Sequence, residues 1–247
     1  AVGMGGWGIF MLFGQRELAE VAFFTGITPT ATAAPVIVGL LGERIDFAVS
    51  AFLATNFGMA CLFPFLIPVA IGNPAPTVFF DVIKSLLIVV GIPLLLAIPV
   101  RKFYKNYQEL PKKLKNVSFF AWVIAIFLII ANASQFLRGQ QGSIDTHLLW
   151  KIALLSAAIC FVNFYFGRFI GGRRYRREAS QVLGQKNTTL TIFLALTYAN
   201  PLVALGPTFY VIWHNAWNAC QLQMRAVREK RKRLRAELLL RPHGGRH

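Results

Sequence analysis

Lys186 is the residue in this sequence whose chemistry most needs an explanation. It stands in the stretch Ser180 to Ala199, within Val182-Leu183-Gly184-Gln185-Lys186-Asn187-Thr188-Thr189, and has no evident carboxylate partner. A Lys near the centre of a membrane span costs about 2.5 to 3.5 kcal/mol even on a lenient insertion scale, so it needs a partner or a use. Its ammonium can act as a fixed charge, attract an anion, or release and rebind a proton. The plainer alternative is a Lys near the inner end of its helix that snorkels to the aqueous face.

Other polar groups fall at similar depth. Thr30, Thr32, Thr55, Asn56, Asn163, Asn187, Thr188, Thr189, His214, Asn215 and Asn218 all lie in apolar stretches. Some can face a cavity, and interhelical hydrogen bonds account for such residues about as well. His214 has no second His or acid at ligand spacing and reads as a packed, hydrogen-bonded side chain. Asp81 has Lys84 three residues on as a local partner. Cys61, Cys160 and Cys220 sit singly in apolar runs, as small buried hydrophobes do. Gly3-Met4-Gly5-Gly6-Trp7-Gly8 fits a GxGxxG spacing without a strand before it, so close helix packing explains it better than a phosphate site. No nucleophile elbow, HExxH, P-loop or paired membrane carboxylate is present, which leaves an enzyme without a motif.

The elements that must hold these groups are membrane helices. Of 247 residues, 55% are hydrophobic and 15% are charged, against about a quarter charged in soluble domains. Eight apolar stretches can be marked, at 1–14, 21–41, 47–72, 78–100, 117–135, 148–170, 180–199 and 202–224. Asn73-Pro74-Ala75-Pro76 divides one long charge-free run and Asn200-Pro201 divides another. The net charge of +16 arises from Lys and Arg placed between the stretches rather than on a nucleic-acid face. Alternate connections, beginning at Arg44, hold 20 basic residues and the others hold 2. Under the positive-inside rule this split predicts eight crossings with the C-terminus in the cytoplasm. The first stretch, Ala1 to Gly14, is short for a span and lacks a basic leader, so the chain is expected to begin inside a helix. The tail from Arg225 is basic, with interspersed Ala, Val and Leu; it suits an amphipathic helix drawn to anionic lipid.

Two stretches are interrupted where a span should be continuous. In Val21 to Leu41 the middle reads Gly26-Ile27-Thr28-Pro29-Thr30-Ala31-Thr32-Ala33-Ala34-Pro35, in which the two prolines each remove a backbone donor. In Ser180 to Ala199 the interruption is Gly184 to Thr189. Irregular backbone at membrane depth survives only beside protein or a wet cavity. The charge split runs the two stretches in opposite directions, as inverted repeats with discontinuous helices do around a midplane transport site.

Gly26-x-x-Pro29, Gly184-x-x-Asn187, Ala199-Asn200-Pro201 and His214-Asn215 together resemble the bile acid:sodium symporter family, part of a wider group of bile acid, arsenite and riboflavin transporters. That resemblance implies ten helices in two inverted five-helix repeats, with the fourth and ninth crossing near the membrane centre; this chain would begin in the third. It departs at the coupling residues. The family's usual Glu-x-Gly-x-Gln-Asn has Val182 for the Glu and Lys186 for the Gln, and the family's Ser-Asn sodium ligands are Ala34-Pro35 here. Sodium needs oxygen ligands, which these side chains do not supply.

The expectation is therefore an all-α polytopic membrane protein, an inverted-repeat bundle with two broken crossing helices and eight spans of ten. Residues 1–72 form the remainder of the first repeat, 78–224 the second, and 225–247 a basic cytoplasmic tail. It would carry a small organic anion across a bacterial inner membrane, with Pro29, Thr30, Thr32, Asn56, Gln185, Lys186, Asn187 and Thr188 lining the substrate cavity. Sodium is possible by resemblance alone, and neither nucleic acid nor another cofactor is expected. The alternatives are an efflux carrier of the arsenite type, disfavoured by the lack of Cys from Val21 to Leu41, and a membrane receptor or scaffold that transports nothing.

Overall fold

A computed structural model describes residues 2–104 and 146–240 throughout, with scattered positions between 106 and 138. The described secondary structure is helical. Along the chain come α1 (Val2–Leu12), α2 (Arg16–Gly26), α3 (Ala33–Leu40), α4 (Ile45–Ala70) and α5 (Pro76–Leu86), then a π turn at Leu87–Gly91 and α6 (Ile92–Phe103). After the gap in description come α7 (Thr146–Ile170), α8 (Arg176–Gly184), α9 (Thr188–Tyr198) and α10 (Pro201–Leu240). The span expected at 117–135 is described only at scattered positions, which set no helix bounds.

Local sequence explains the boundaries. Asn200 caps α10 by accepting from the Val203 amide at 3.0 Å, with Pro201 at the first helical position, where its missing donor is not needed. Gly72 closes the end of α4 in a left-handed conformation, φ 69°, and Pro76 opens α5. Two helices, Ile45–Ala70 and His147–Ile170, are long and apolar enough to cross a bilayer, and only 22% and 39% of their most apolar windows are buried. A soluble core helix of that composition would bury most of it. Leu53, Phe57 and Phe65 of α4 and Leu154, Tyr165 and Phe169 of α7 point outward, an apolar surface suited to lipid.

α1 packs along α2, α8 along α7, and α10 against α7, α9 and α2. The main core joins Phe23 and Phe24 of α2, Phe63 and Ile67 of α4, Ile192 and Leu194 of α9, and Leu202 to Leu205 of α10. Where α1 crosses α2, Gly3 meets Gly26 backbone to backbone. A Cβ on Gly3 would lie 2.6 Å from the Ile27 amide nitrogen. Gly3 and Gly6 of the opening stretch thus serve helix packing, whereas nothing lies within 4 Å of a Cβ on Gly5 or Gly8.

Several expectations need correction. The crossing helices begin before 21 and 180, because α2 starts at Arg16 and α8 at Arg176. Their acids are inside the fold: Glu20 is buried and paired to Arg16 at 2.9 Å, and Glu178 is buried beside the Arg44 amide. A satisfied acid is tolerated where a bare one would end the span. No break occurs at 225, since α10 runs on to Leu240. Only Cys160 of the three thiols is buried; Cys61 and Cys220 lie on outward faces of α4 and α10. Asp81 and Lys84 line one cavity without an ion pair between them. His214 is buried, yet its Nδ1 has no hydrogen-bond partner.

Candidate functional site

The two interrupted stretches are broken, and the breaks meet. Between α2 and α3 the chain leaves the helix from Ile27 to Thr32, and between α8 and α9 from Gln185 to Asn187. Across this gap the Ala31 amide donates to the Gln185 carbonyl at 2.9 Å, and the Asn187 amide to the Pro29 carbonyl at 2.9 Å. Thr30 and Lys186 therefore face each other as one antiparallel bridge. Helix ends leave donors and acceptors that lipid cannot satisfy, and here each break answers the other.

Side chains close the rest of the account. Thr30 Oγ1 donates to the Val182 carbonyl at 2.8 Å, in the last turn of α8. From α4, Thr55 Oγ1 reaches Thr30 Oγ1 at 2.9 Å, and Asn56 Nδ2 donates to the Thr30 carbonyl at 2.9 Å. Asn187 caps α9, its Oδ1 accepting from the Leu190 amide at 3.4 Å. Thr28 Oγ1 lies 3.1 Å from Thr191 Oγ1. Tyr210 Oη, from α10, donates to the Gly184 carbonyl at 2.9 Å. A ladder of amides, Gln185 to Gln181 at 3.2 Å and Gln181 to Gln221 at 2.8 Å, leads from the break along α8 to α10.

Lys186 is buried at 9% exposure, and its Nζ donates to the Thr28 carbonyl at 2.9 Å. The snorkelling alternative is thereby set aside: the ammonium turns into the crossing, onto a carbonyl freed by the other broken helix. Val182 is buried and offers only its backbone oxygen, already taken by Thr30. Ala34, also buried, and Pro35 lie in the first turn of α3 with no side-chain oxygen. The positions that the sequence resemblance would assign to sodium thus present two apolar side chains, a proline and a cation, a set that does not fit sodium.

Of the expected cavity residues, Pro29, Thr30, Gln185, Lys186 and Thr188 are buried, Asn56 and Asn187 are half-buried, and Thr32 is exposed. The structure brings seven of them to the crossing. Thr32 stands apart, at the N-terminal end of α3 without a side-chain cap bond. Sequence reasoning missed Thr28, Gln181, Thr191, Tyr210 and Gln221 as partners. The four-residue spacing of Gln181, on α8, and Gln185, just past its end, was the available signal for the ladder. Two cavities lie away from the bridge. One, of about 520 Å³, is lined by Asn73, Asp81, Lys84, Ser85 and Tyr198 among others. The other, of about 940 Å³, lies at the arginine-rich end where α8 and α10 approach the turn after α3.

Replacing Thr30 by Val keeps the side chain's shape and removes its hydroxyl. The Val182 carbonyl then loses its side-chain donor, while the Thr55 hydroxyl keeps the Phe52 carbonyl; a buried group left unsatisfied costs about 1 to 3 kcal/mol. The expected result is a clear drop in the thermal unfolding midpoint of the detergent-purified chain. An unchanged midpoint would mean that the crossing does not depend on this bond.

The chain matches the model of the Sodium Bile acid symporter family over residues 4–140, more than half its length. Comparison with curated proteins finds no match. The family match takes in the first broken helix and ends before the second, where Val182 and Lys186 stand.

Proposed function

We propose, on the premise that this chain belongs to the sodium bile acid symporter family, that it carries a small organic anion by alternating access around the paired breaks, with the Lys186 ammonium in place of the family's sodium. Members of that family are transporters, and the chain is a multi-pass membrane protein. The finer proposal rests on one observation: the buried cation on the Thr28 carbonyl, at the point where two discontinuous helices meet. A fixed positive charge there would draw an anionic group, whereas a sodium ion would have to share the site with it at a cost in repulsion.

The remainder of the proposal follows from the charge split. Eight crossings, basic connections inside and a cytoplasmic C-terminus place 1–72 and 78–224 as oppositely oriented repeats. With most of the crossing buried, this conformation is one in which the central residues are shielded, and transport requires the breaks to become accessible from each side in turn.

Reconstitution into vesicles tests it. Uptake of organic anions is measured with an imposed sodium gradient, with a proton gradient and with neither. The expected outcome is anion flux that an inward sodium gradient does not stimulate. Sodium-stimulated flux would overturn the proposed role of Lys186. No flux of any anion would favour a receptor or scaffold instead, and arsenite flux would favour the efflux alternative.

A further inference from the structure

The arginine-rich end of the bundle holds a second feature that the proposed transport does not use. Six arginines line the cavity of about 940 Å³, with Glu43 and Glu229 as the acids among its described lining residues. Arg177 is paired with Glu43 at 2.5 Å, and Arg225 with Glu229 at 2.6 Å. Arg225 also donates to the Leu40 carbonyl at the end of α3. Arg168, Arg228, Arg231 and Arg235 form no ion pair among the described residues. Four uncompensated guanidinium groups around one hollow repel one another and raise the potential for an anion there.

Trp217 forms part of the wall of this cavity, with its indole N–H closed off from solvent. The lip of the hollow is apolar: Tyr165 and Met224 line it at 60% and 51% exposure, and Phe169 stands one residue beyond Arg168 at 82%. Charge in the hollow and apolar surface at its edge suit a ligand with a polar anionic head.

We propose that this cavity binds a phosphate-bearing anion, supplied either as the headgroup of an anionic lipid or as a free polyvalent phosphate. The guanidinium fork matches phosphate oxygens two at a time. An occupant would tie the extension of α10 beyond Arg225 to α7 and α8, converting mutual repulsion into a brace.

The test is a binding titration of the full chain in a neutral detergent, followed by tryptophan fluorescence. The probes are dihexanoyl phosphatidylglycerol and inorganic pyrophosphate, with dihexanoyl phosphatidylcholine as the uncharged comparison. A saturable response to phosphatidylglycerol alone assigns the site to lipid headgroups; a response to pyrophosphate shows that the phosphate group suffices. The double substitution Arg168→Gln with Arg228→Gln is expected to weaken binding by about tenfold or more, as the loss of two charge-assisted contacts implies. Arg101→Gln with Lys102→Gln, the same change of charge at the end of α6, should leave it unaltered. Should the first pair fail to fold, Arg231→Gln, an exposed single change, is compared with Lys102→Gln in the same way. Absence of saturable binding to either anion, or equal weakening by the paired substitutions inside and outside the cavity, overturns the proposal.

Discussion

Lys186→Gln is expected to lower uptake of the anionic substrate by about tenfold or more, equivalent to ~1.4 kcal/mol or more of lost interaction, while the purified chain remains folded. Gln keeps a side-chain N–H on a chain one bond shorter, so it removes the positive charge while retaining a donor on the side of the Thr28 carbonyl. Lys186→Met removes both. It leaves the Thr28 carbonyl without its donor, at a cost of about 1 to 3 kcal/mol, and is expected to lower thermal stability as well as transport. A purely structural Lys186 gives the opposite pattern: Gln transports normally and Met is merely less stable. The Gln variant also carries the side chain that the family usually has at this position. It is nonetheless not expected to gain sodium stimulation, because Val182, Ala34 and Pro35 still offer no side-chain oxygen.

The breaks were legible because their cause is local. Pro29 and Pro35 cannot continue a ladder of amide donors, and Asn200-Pro201 ends one helix and caps the next for reasons contained in two residues. The partner of Lys186 was not legible. It is a backbone carbonyl, which every residue carries, so no residue type announces it; only the meeting of two segments more than 150 positions apart selects Thr28. The limits of the crossing helices were misplaced for a related reason. Glu20 and Glu178 look like span ends until Arg16 and the Arg44 amide are seen beside them. Nor does the sequence show that Gly26 is a helical residue in the last position of α2, whose missing side chain lets α1 approach. Exposure of Cys61 and Cys220 depends on which face of a uniformly apolar helix turns outward, and apolar periodicity is weakest where both faces are apolar.

The largest effect on folding is expected from Gly26→Val. A Cβ at this position would fall 2.5 Å from the Gly3 Cα and 2.6 Å from the Gly3 nitrogen, backbone atoms that no side-chain rotation can move aside. α1 would have to lift from α2. It is held there by Met4, Trp7 and Phe10 against the core and by the Trp7 indole, which donates to the Ala70 carbonyl at 3.2 Å. Overpacking a close contact costs about 1 to 3 kcal/mol and sometimes more; a clash of two backbones belongs at the upper end, and β-branching adds a smaller loss of helix propensity. Gly5→Val isolates that propensity term, because nothing lies within 4 Å of a Cβ there. Thermal unfolding of the two variants in the same detergent separates the effects. Gly26→Val should unfold at a markedly lower temperature, whereas Gly5→Val should stay near the unsubstituted chain. Equal midpoints for the two would falsify the close approach. Because Ile27 and Thr28 follow directly, the displacement also reaches the carbonyl that holds Lys186, so Gly26→Val should lose anion uptake in vesicles even at temperatures where it remains folded.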